Sequence, residues 1–413
     1  MDAAWVHRAF EKIGAFGRGP RGHSRLVFGE AEWAACEYLA AEMRESGLAV
    51  RTDAFGNIIG RREGTILGAP AVATGSHLDT VPEGGNFDGV VGVVAGLAAI
   101  RRLAALGPFP HPLELIVFRG EESSRFSIGT MGSKVMAGLT TVQKWSGLKD
   151  VAGITLAEAM AAHGLRLEAI ESAVRGATDL AAFVEMHIEQ GPVLETAGLR
   201  VGVVEAIAAP IRLKLTVRGV AAHSGTTPMN ARRDALITAA RIVLAVQEEA
   251  RNRADRRIVG TVGALQVHPG ALNVVPGCVE LWVDVRGIDE SHLREAGDAV
   301  QGRARQIAAD DGVGLDVDLL GADRPIQMDP HVIGAIEASC QAVRVPFRRM
   351  PSGAGHDAMN MARICPAGML FVPCRAGVSH NPDEHAEIDD ILCGIDVLTE
   401  TLRRLASDEP RKS

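Results

Sequence analysis

The stretch PAVATGSHLDTVPEGGNFDGVVGVVAGLAAIRRLAALGPFPHPLELIVF, residues 70–118, decides the fold. It opens with a short apolar run, 70–76, that gives way to polar residues in GSHLDT at 75–80, as a buried strand does where it enters a loop. Residues 89–106 are small and apolar throughout, which predicts a helix packed tightly on a sheet, and LELIVF at 113–118 reads as a second buried strand. Strands alternating with helices in this way point to an α/β sheet with helices on its faces.

Upstream, 31–47 reads as an amphipathic helix ending at Gly47, and 49–60 as two strands around a turn at Gly56-Asn57. Downstream, 131–138 and 154–163 read as helices, and 182–188 (AFVEMHI) and 200–207 as strands. The character changes near Pro210. Residues 211–219 (IRLKLTVRG) alternate apolar and charged side chains, the mark of a half-exposed strand. A helix at about 232–250, strands at about 257–267 and 278–287, a helix at about 290–310 and a strand at about 314–320 make a unit large enough to be a domain. After Arg324-Pro325 the buried style returns, with a helix at 329–343, a strand at 368–373 and a final helix at about 387–407. The expectation is an α/β domain built from 1–208 and 325–413, interrupted by an α+β domain at 209–324.

Bulk properties exclude several function classes. The chain has 413 residues and a formal charge of −8, which argues against a nucleic-acid partner. Hydrophobic residues at 47% and charged residues at 23% are ordinary for a soluble globular protein, and aromatics at 4% argue against stacking platforms for bases or sugars. No stretch approaches the roughly 20 apolar residues that span a bilayer. The N-terminal MDAAWVHRAFEKIG has no signal-peptide apolar core, so no membrane partner is expected. Six cysteines with no C-x-x-C pair read as reduced and mostly buried, in a cytoplasmic protein.

Loops at the carboxyl ends of strands are where α/β sheets bind ligands, and metal-type side chains recur there. His77 lies just past a strand, with Asp79 two residues on and so on the same face, placed to orient the His77 ring with its carboxylate. Asp88 stands in GGNFDG, Glu121-Glu122 directly follow LELIVF, and His187 ends a strand. His380 lies in the turn-rich GVSHNPDEH after the strand MLFVP. Of two adjacent glutamates, one can bind metal while the other faces the water on it. A bridging Asp with His and carboxylate ligands would hold two cations, which together lower the pKa of a shared water and polarise a carbonyl. The mixed N/O donors suit zinc, manganese, cobalt or nickel.

In order, GSHLDTVPEGGNFDG, FRGEESSRF, EMHIEQGPVLE, GVAAHSGTTPMNARRDAL, PSGAGHDAMNMA and GVSHNPDE resemble the metallo-amidohydrolases related to aminoacylase and carboxypeptidase G. They are most similar to the branch of N-carbamoyl-L-amino-acid hydrolase, beta-ureidopropionase and allantoate amidohydrolase, from about residue 70 to near 405. The resemblance implies a zinc-peptidase-like catalytic domain with an inserted lid and dimerisation domain, and hence a homodimer. It implies that His77, Asp88 and His187 bind one divalent metal and Asp88, Glu122 and His380 a second, with Glu121 as general base and Asp79 supporting His77. His187 stands where wider peptidase relatives often carry a carboxylate. His223 would reach the partner subunit's site and stabilise the developing oxyanion, Asn273 and Arg286 would hold a substrate carboxylate, and Gln190, Gly353 and Gly355 would line the pocket. His356 and Asp357 are expected either behind the metal ligands or as caps of the next helix, and Glu384 and His385 as loop residues with supporting roles at most.

The implied reaction is hydrolysis of the ureido C–N bond of N-carbamoyl-L-amino acids, a small carboxylate-bearing ureido substrate, to amino acid, carbon dioxide and ammonia. The nearest alternative is allantoate amidohydrolase. Further off are an N-acyl-amino-acid amidase or dipeptidase, and a non-catalytic binding protein on the same fold, which would be expected to have lost a ligand or the base.

Overall fold

Strands that read as unbroken apolar runs can be covered on both faces. Four of them, Leu113–Phe118, Ala71–His77, Leu180–Ile188 and Ala367–Val372, lie side by side and parallel at the centre of a mixed sheet. On one side Ile58–Arg62 and then Ala49–Thr52 pair antiparallel; on the other Val201–Ile207 pairs antiparallel, and Phe347–Ser352 pairs with it in turn. The computed structural model describes residues 3–408; the first two and last five residues, which the sequence assigns to the α/β domain, lie outside the described residues. The chain forms two units, residues up to Glu205 with those from Met328 onward, and Ala206–Gln327.

In the first unit, helix Val90–Ala104 is buried on nearly every side. Its small residues let it lie against the strands: a Cβ on Gly92 would sit 2.3 Å from the Met186 carbonyl oxygen. Helix Ile388–Ser407 buries Ile391, Ile395, Leu398, Leu402 and Leu405 at helical spacing. The parallel register puts His77 beside Phe118, and Phe371 and Val372 beside His187 and Ile188, so the four strands end together. Their carboxyl-end loops therefore share one rim. Besides several short turns of helix and two-residue strands, two longer elements went unread in the sequence. Helix Ala3–Ala15 buries Trp5, Val6, Ala9, Phe10 and Ile13, a helical spacing that was there to be seen. Strand Phe347–Ser352 was hidden by its exposed arginines.

The second unit is an antiparallel sheet in the order Val259–His268, Cys278–Gly287, Ala209–Arg218, Gly314–Ala322. Alternation along Cys278–Gly287 buries Val279, Leu281, Val283 and Val285. With Leu213, Leu215 and Val217 they pack against helices Ala235–Arg251 and Glu290–Asp310. Asp234 and Asp289 cap these helices, each carboxylate accepting first-turn N–H groups. All six cysteines are free thiols, five of them buried. Among the described residues no helix is long and apolar enough to cross a membrane.

Candidate metal centre and active site

The shared rim gathers side chains from four strand ends. His77, Asp88 and His187 offer donor atoms within 4.8 Å of one another, and so do Asp88, Glu122 and His380. Asp88 belongs to both groups and gives each a different oxygen. Its Oδ1 lies 3.0 Å from His187 Nε2 and 3.8 Å from His77 Nε2; its Oδ2 lies 3.2 Å from His380 Nε2, which is also 3.1 Å from Glu122 Oε1. Four of these donors are buried, while the His380 side chain remains 49% exposed.

The two buried imidazoles are oriented from behind. His77 Nδ1 lies 3.0 Å from the carbonyl oxygen of Asp79, and His187 Nδ1 lies 2.9 Å from that of Ile188. A carbonyl only accepts, so Nδ1 donates in both rings and a neutral ring turns its Nε2 lone pair toward the cluster; in His187 that Nε2 also accepts the Gly89 N–H at 3.1 Å, a bond a cation there would displace. Gly89 closes the approach: it has φ +68, and a Cβ there would meet the His77 ring at 2.4 Å. Burial keeps His77 below its usual pKa. Burial also opposes charge on His187, but Asp88 overrides it and pushes His187 up to about 9. Hydrogen bonds to Asp88 and Glu122 push His380 up to about 10. Nitrogen and carboxylate donors this close, with their reverse sides already bonded, fit divalent cations such as zinc, manganese, cobalt or nickel.

Asp79 supports His77, but through its backbone and not through the carboxylate that its i+2 position suggested. Its carboxylate is 3.6 Å from His77 Nδ1, and it is the Asp79 backbone carbonyl that takes the ring hydrogen. The carboxylate instead accepts the backbone N–H groups of Glu121 at 3.1 Å and Glu122 at 2.9 Å. The local turn after His77 brings the carbonyl closer to the ring than the side chain can come. Glu121 Oε2 lies 3.7 Å from His77 Nε2, and no described residue hydrogen-bonds to the Glu121 carboxylate. Burial, then the neighbouring Glu122, Asp357, Asp79 and Asp88, raises its pKa well above the usual carboxylate range.

Gln190, at φ +56, donates from Nε2 to Asp88 Oδ2 at 2.7 Å, and its Oε1 is buried without a partner. Gly353 and Gly355 lie in the turn between strand Phe347–Ser352 and helix Ala358–Met361. Neither has a positive φ, and a Cβ on Gly353 would meet nothing within 4 Å, so no close backbone approach at Gly353 calls for glycine in the chain itself. His356 and Asp357 are both buried behind the ligands rather than capping: His356 meets the His187 ring edge-on at 4.5 Å, and Asp357 accepts a hydrogen bond from Ser133 Oγ at 2.5 Å and caps no helix N–H. A third donor group, Glu185, His187 and His356, is already satisfied by protein. Glu185 accepts from Ser76 Oγ and the Ala358 N–H, and His356 Nε2 pairs with Ser352 Oγ.

The remaining expected residues lie in the second unit. His223 pairs with Val274, and Ser224 N–H donates to the Asn273 carbonyl, so His223 and Asn273 are neighbours. His223 Nδ1 accepts the N–H groups of Gly225 and Thr226, which leaves Nε2 to carry the hydrogen of the neutral ring. Arg286 lies elsewhere. It sits near the far end of strand Cys278–Gly287, paired with Pro210, its Nε donating to Asp284 at 2.8 Å. Eight residues of antiparallel strand from Cys278 amount to about 27 Å, so one copy of this unit does not bring Asn273 and Arg286 to the same place.

An α/β sheet with clustered metal donors and a carboxylate poised at its rim defines a metal-dependent hydrolase of amide bonds. The chain belongs to peptidase family M20/M25/M40, whose profile matches residues 73–404. It is 42% identical to the N-carbamoyl-L-amino acid amidohydrolase of Geobacillus stearothermophilus, over 96% of this chain and 97% of that one. It is 35% identical to the allantoate amidohydrolase of Escherichia coli, over 95% and 96%. The crystal structure of an amidase of the hydantoinase/carbamoylase family from Burkholderia multivorans superimposes with a TM-score of 0.93 at 35% identity, over 98% of each chain.

Proposed function

We propose that this hydrolase cleaves the carbamoyl group from N-carbamoyl-L-amino acids, using two divalent cations, one held by His77, Asp88 and His187 and one by Asp88, Glu122 and His380. The observation that carries the reading is Asp88, which turns one oxygen to each donor group while Glu121 stands beside them unbonded. When bound, the cations would acidify a water and polarise the scissile carbonyl. Glu121, unbonded beside the donors, takes the proton of the attacking water and returns it to the departing nitrogen. Asp79 keeps Glu121 and Glu122 in place through their backbone N–H groups.

His223 donates from Nε2 to the developing oxyanion. Arg286 and Asn273 anchor the α-carboxylate and favour the L-enantiomer, while Gln190 and the backbone at Gly353 and Gly355 line the pocket. The separation of Asn273 and His223 from Arg286 within one chain supports a homodimer joined through the inserted lid domain, each pocket drawing residues from both subunits. Breakdown of allantoate is the second reading, favoured by the Escherichia coli relative and by the ureido group and carboxylate common to both substrates.

Ammonia release from N-carbamoyl-L-methionine and from allantoate, offered side by side to protein reconstituted with manganese, cobalt or zinc, separates the two. Turnover of the L-carbamoyl amino acid with its D-enantiomer untouched is expected. Turnover of allantoate alone would replace the first reading with the second.

A further inference from the structure

Asp88 and His380 come from loops that no strand pairing ties together: they follow Ala71–His77 and Ala367–Val372, and Leu180–Ile188 runs between those two strands. His380 is the most exposed of the five donors and sits at φ +55, a conformation its neighbours must hold in place. We propose that Glu384, acting with Ser379, sets the spacing of Asp88 and His380 and so the cation position that these two share with Glu122. This rests on the two-cation reading above.

Glu384 is 5% exposed and reaches from the His380 loop into the Asp88 loop. Its Oε1 accepts the backbone N–H of Phe87 at 2.8 Å and of Asp88 at 3.0 Å. Its Oε2 is 2.9 Å from Ser379 Oγ, which is itself 2.8 Å from Asp88 Oδ2. Ser379, adjacent to His380, has one hydroxyl proton for these two carboxylates. When Asp88 Oδ2 is given to a cation, that proton has Glu384 as acceptor, so the clamp holds through binding. Space for it is cut at Gly85, where a Cβ would sit 2.2 Å from Glu384 Oε1. Glu384 and Ser379 bond neither the His77 nor the His187 ring, so they reach the first cation position only through Asp88, whereas at the second they govern both Asp88 and the loop of His380.

The test is stepwise titration of stripped protein with Co2+, read by visible absorption and calorimetry, for wild type, Ser379→Ala, Glu384→Gln and Glu384→Ala, with His380→Ala marking which step belongs to His380. One step, the one His380→Ala removes, is expected to weaken by about 10- to 100-fold in Glu384→Ala, the range for residues that support metal ligands. Glu384→Gln, which keeps one oxygen for the Phe87 and Asp88 N–H groups, should weaken it less, and the other step, which reaches Glu384 only through Asp88, should weaken less than the His380 step in every variant. Both steps weakening alike, alongside a lower melting temperature, would mean a general structural role and overturn the proposal. So would wild-type affinities in both Glu384 variants, with two cations still bound. A wild-type chain that binds fewer than two cations would sink the two-cation reading and this proposal with it.

Discussion

The Asp79 carboxylate accepts the Glu122 backbone N–H at 2.9 Å, with Glu121 N–H on its other oxygen at 3.1 Å. One buried side chain thus fixes the peptide that carries both the expected base and an expected metal ligand. Asp79→Asn should keep one of these bonds and leave the other N–H facing an NH2 group, an unsatisfied buried donor worth about 1–3 kcal/mol. We expect kcat/KM to fall by about 5- to 150-fold, the same energy at about 1.4 kcal/mol per factor of ten, with metal content retained. Wild-type kinetics in Asp79→Asn would show that the Glu121-Glu122 peptide holds itself.

Glu121→Gln keeps the shape of the side chain and removes its ability to take a proton. A general base contributes about 10²- to 10⁴-fold, so kcat should drop by that much while two cations still bind. Metal analysis alongside steady-state kinetics decides it. Normal turnover would remove Glu121 from the role of base.

Cation affinity should depend on pH in a direction set by His187, held at about 9, and His380, held at about 10. Both are protonated near neutrality without metal, and a cation must displace those protons. Apparent affinity should therefore rise with pH, by up to about tenfold per unit for each site, and level off above 9 to 10. Calorimetry in buffers of different ionisation enthalpy measures the protons released. The same shifts act on the metal-free fold. Raised histidine pKa values add stability that is complete below the unfolded value near 6.5 and is lost as pH rises through 9 and 10.

Just upstream of Glu121, Arg119 Nη1 meets Glu32 Oε1 at 2.6 Å with both side chains out of solvent, and Arg119 Nε donates to the Gly56 carbonyl at 2.8 Å. Removing either partner leaves a buried charge unpaired. Glu32→Gln or Arg119→Met should each cost about 3–5 kcal/mol in denaturant unfolding, and the double substitution less than the sum. Single substitutions costing under about 1 kcal/mol would show the pair to be solvated in solution.

A pocket that borrows His223 from a partner can be tested by mixing. Glu121→Gln and His223→Ala chains, each inactive alone, should regain activity when denatured and refolded together, because a heterodimer then contains one site with both residues intact. Random pairing of two chains predicts about a quarter of wild-type activity. No recovery, with heterodimers present, would place His223 in the site of its own chain.

Much of the fold was legible because burial imposes a local period. The alternation in IRLKLTVRG became strand Ala209–Arg218, and the helix read at about 290–310 spans Glu290–Asp310. Runs such as LELIVF, apolar at every position, marked strands covered on both faces. Strand Phe347–Ser352 escaped because an edge strand with exposed arginines carries no such period.

By itself, then, the sequence determined most of the longer elements, the donor types and their place at strand ends, since each follows from side chains a few residues apart. Tertiary structure alone decided which groups those side chains meet. Asp79 grips the peptide of Glu121 and Glu122, Glu384 grips Asp88 from 296 residues away, and Asn273 lies in a turn outside the four-stranded sheet that carries Arg286. These depend on strand order and loop path, which bring together hydrogen-bonding groups that no local spacing relates.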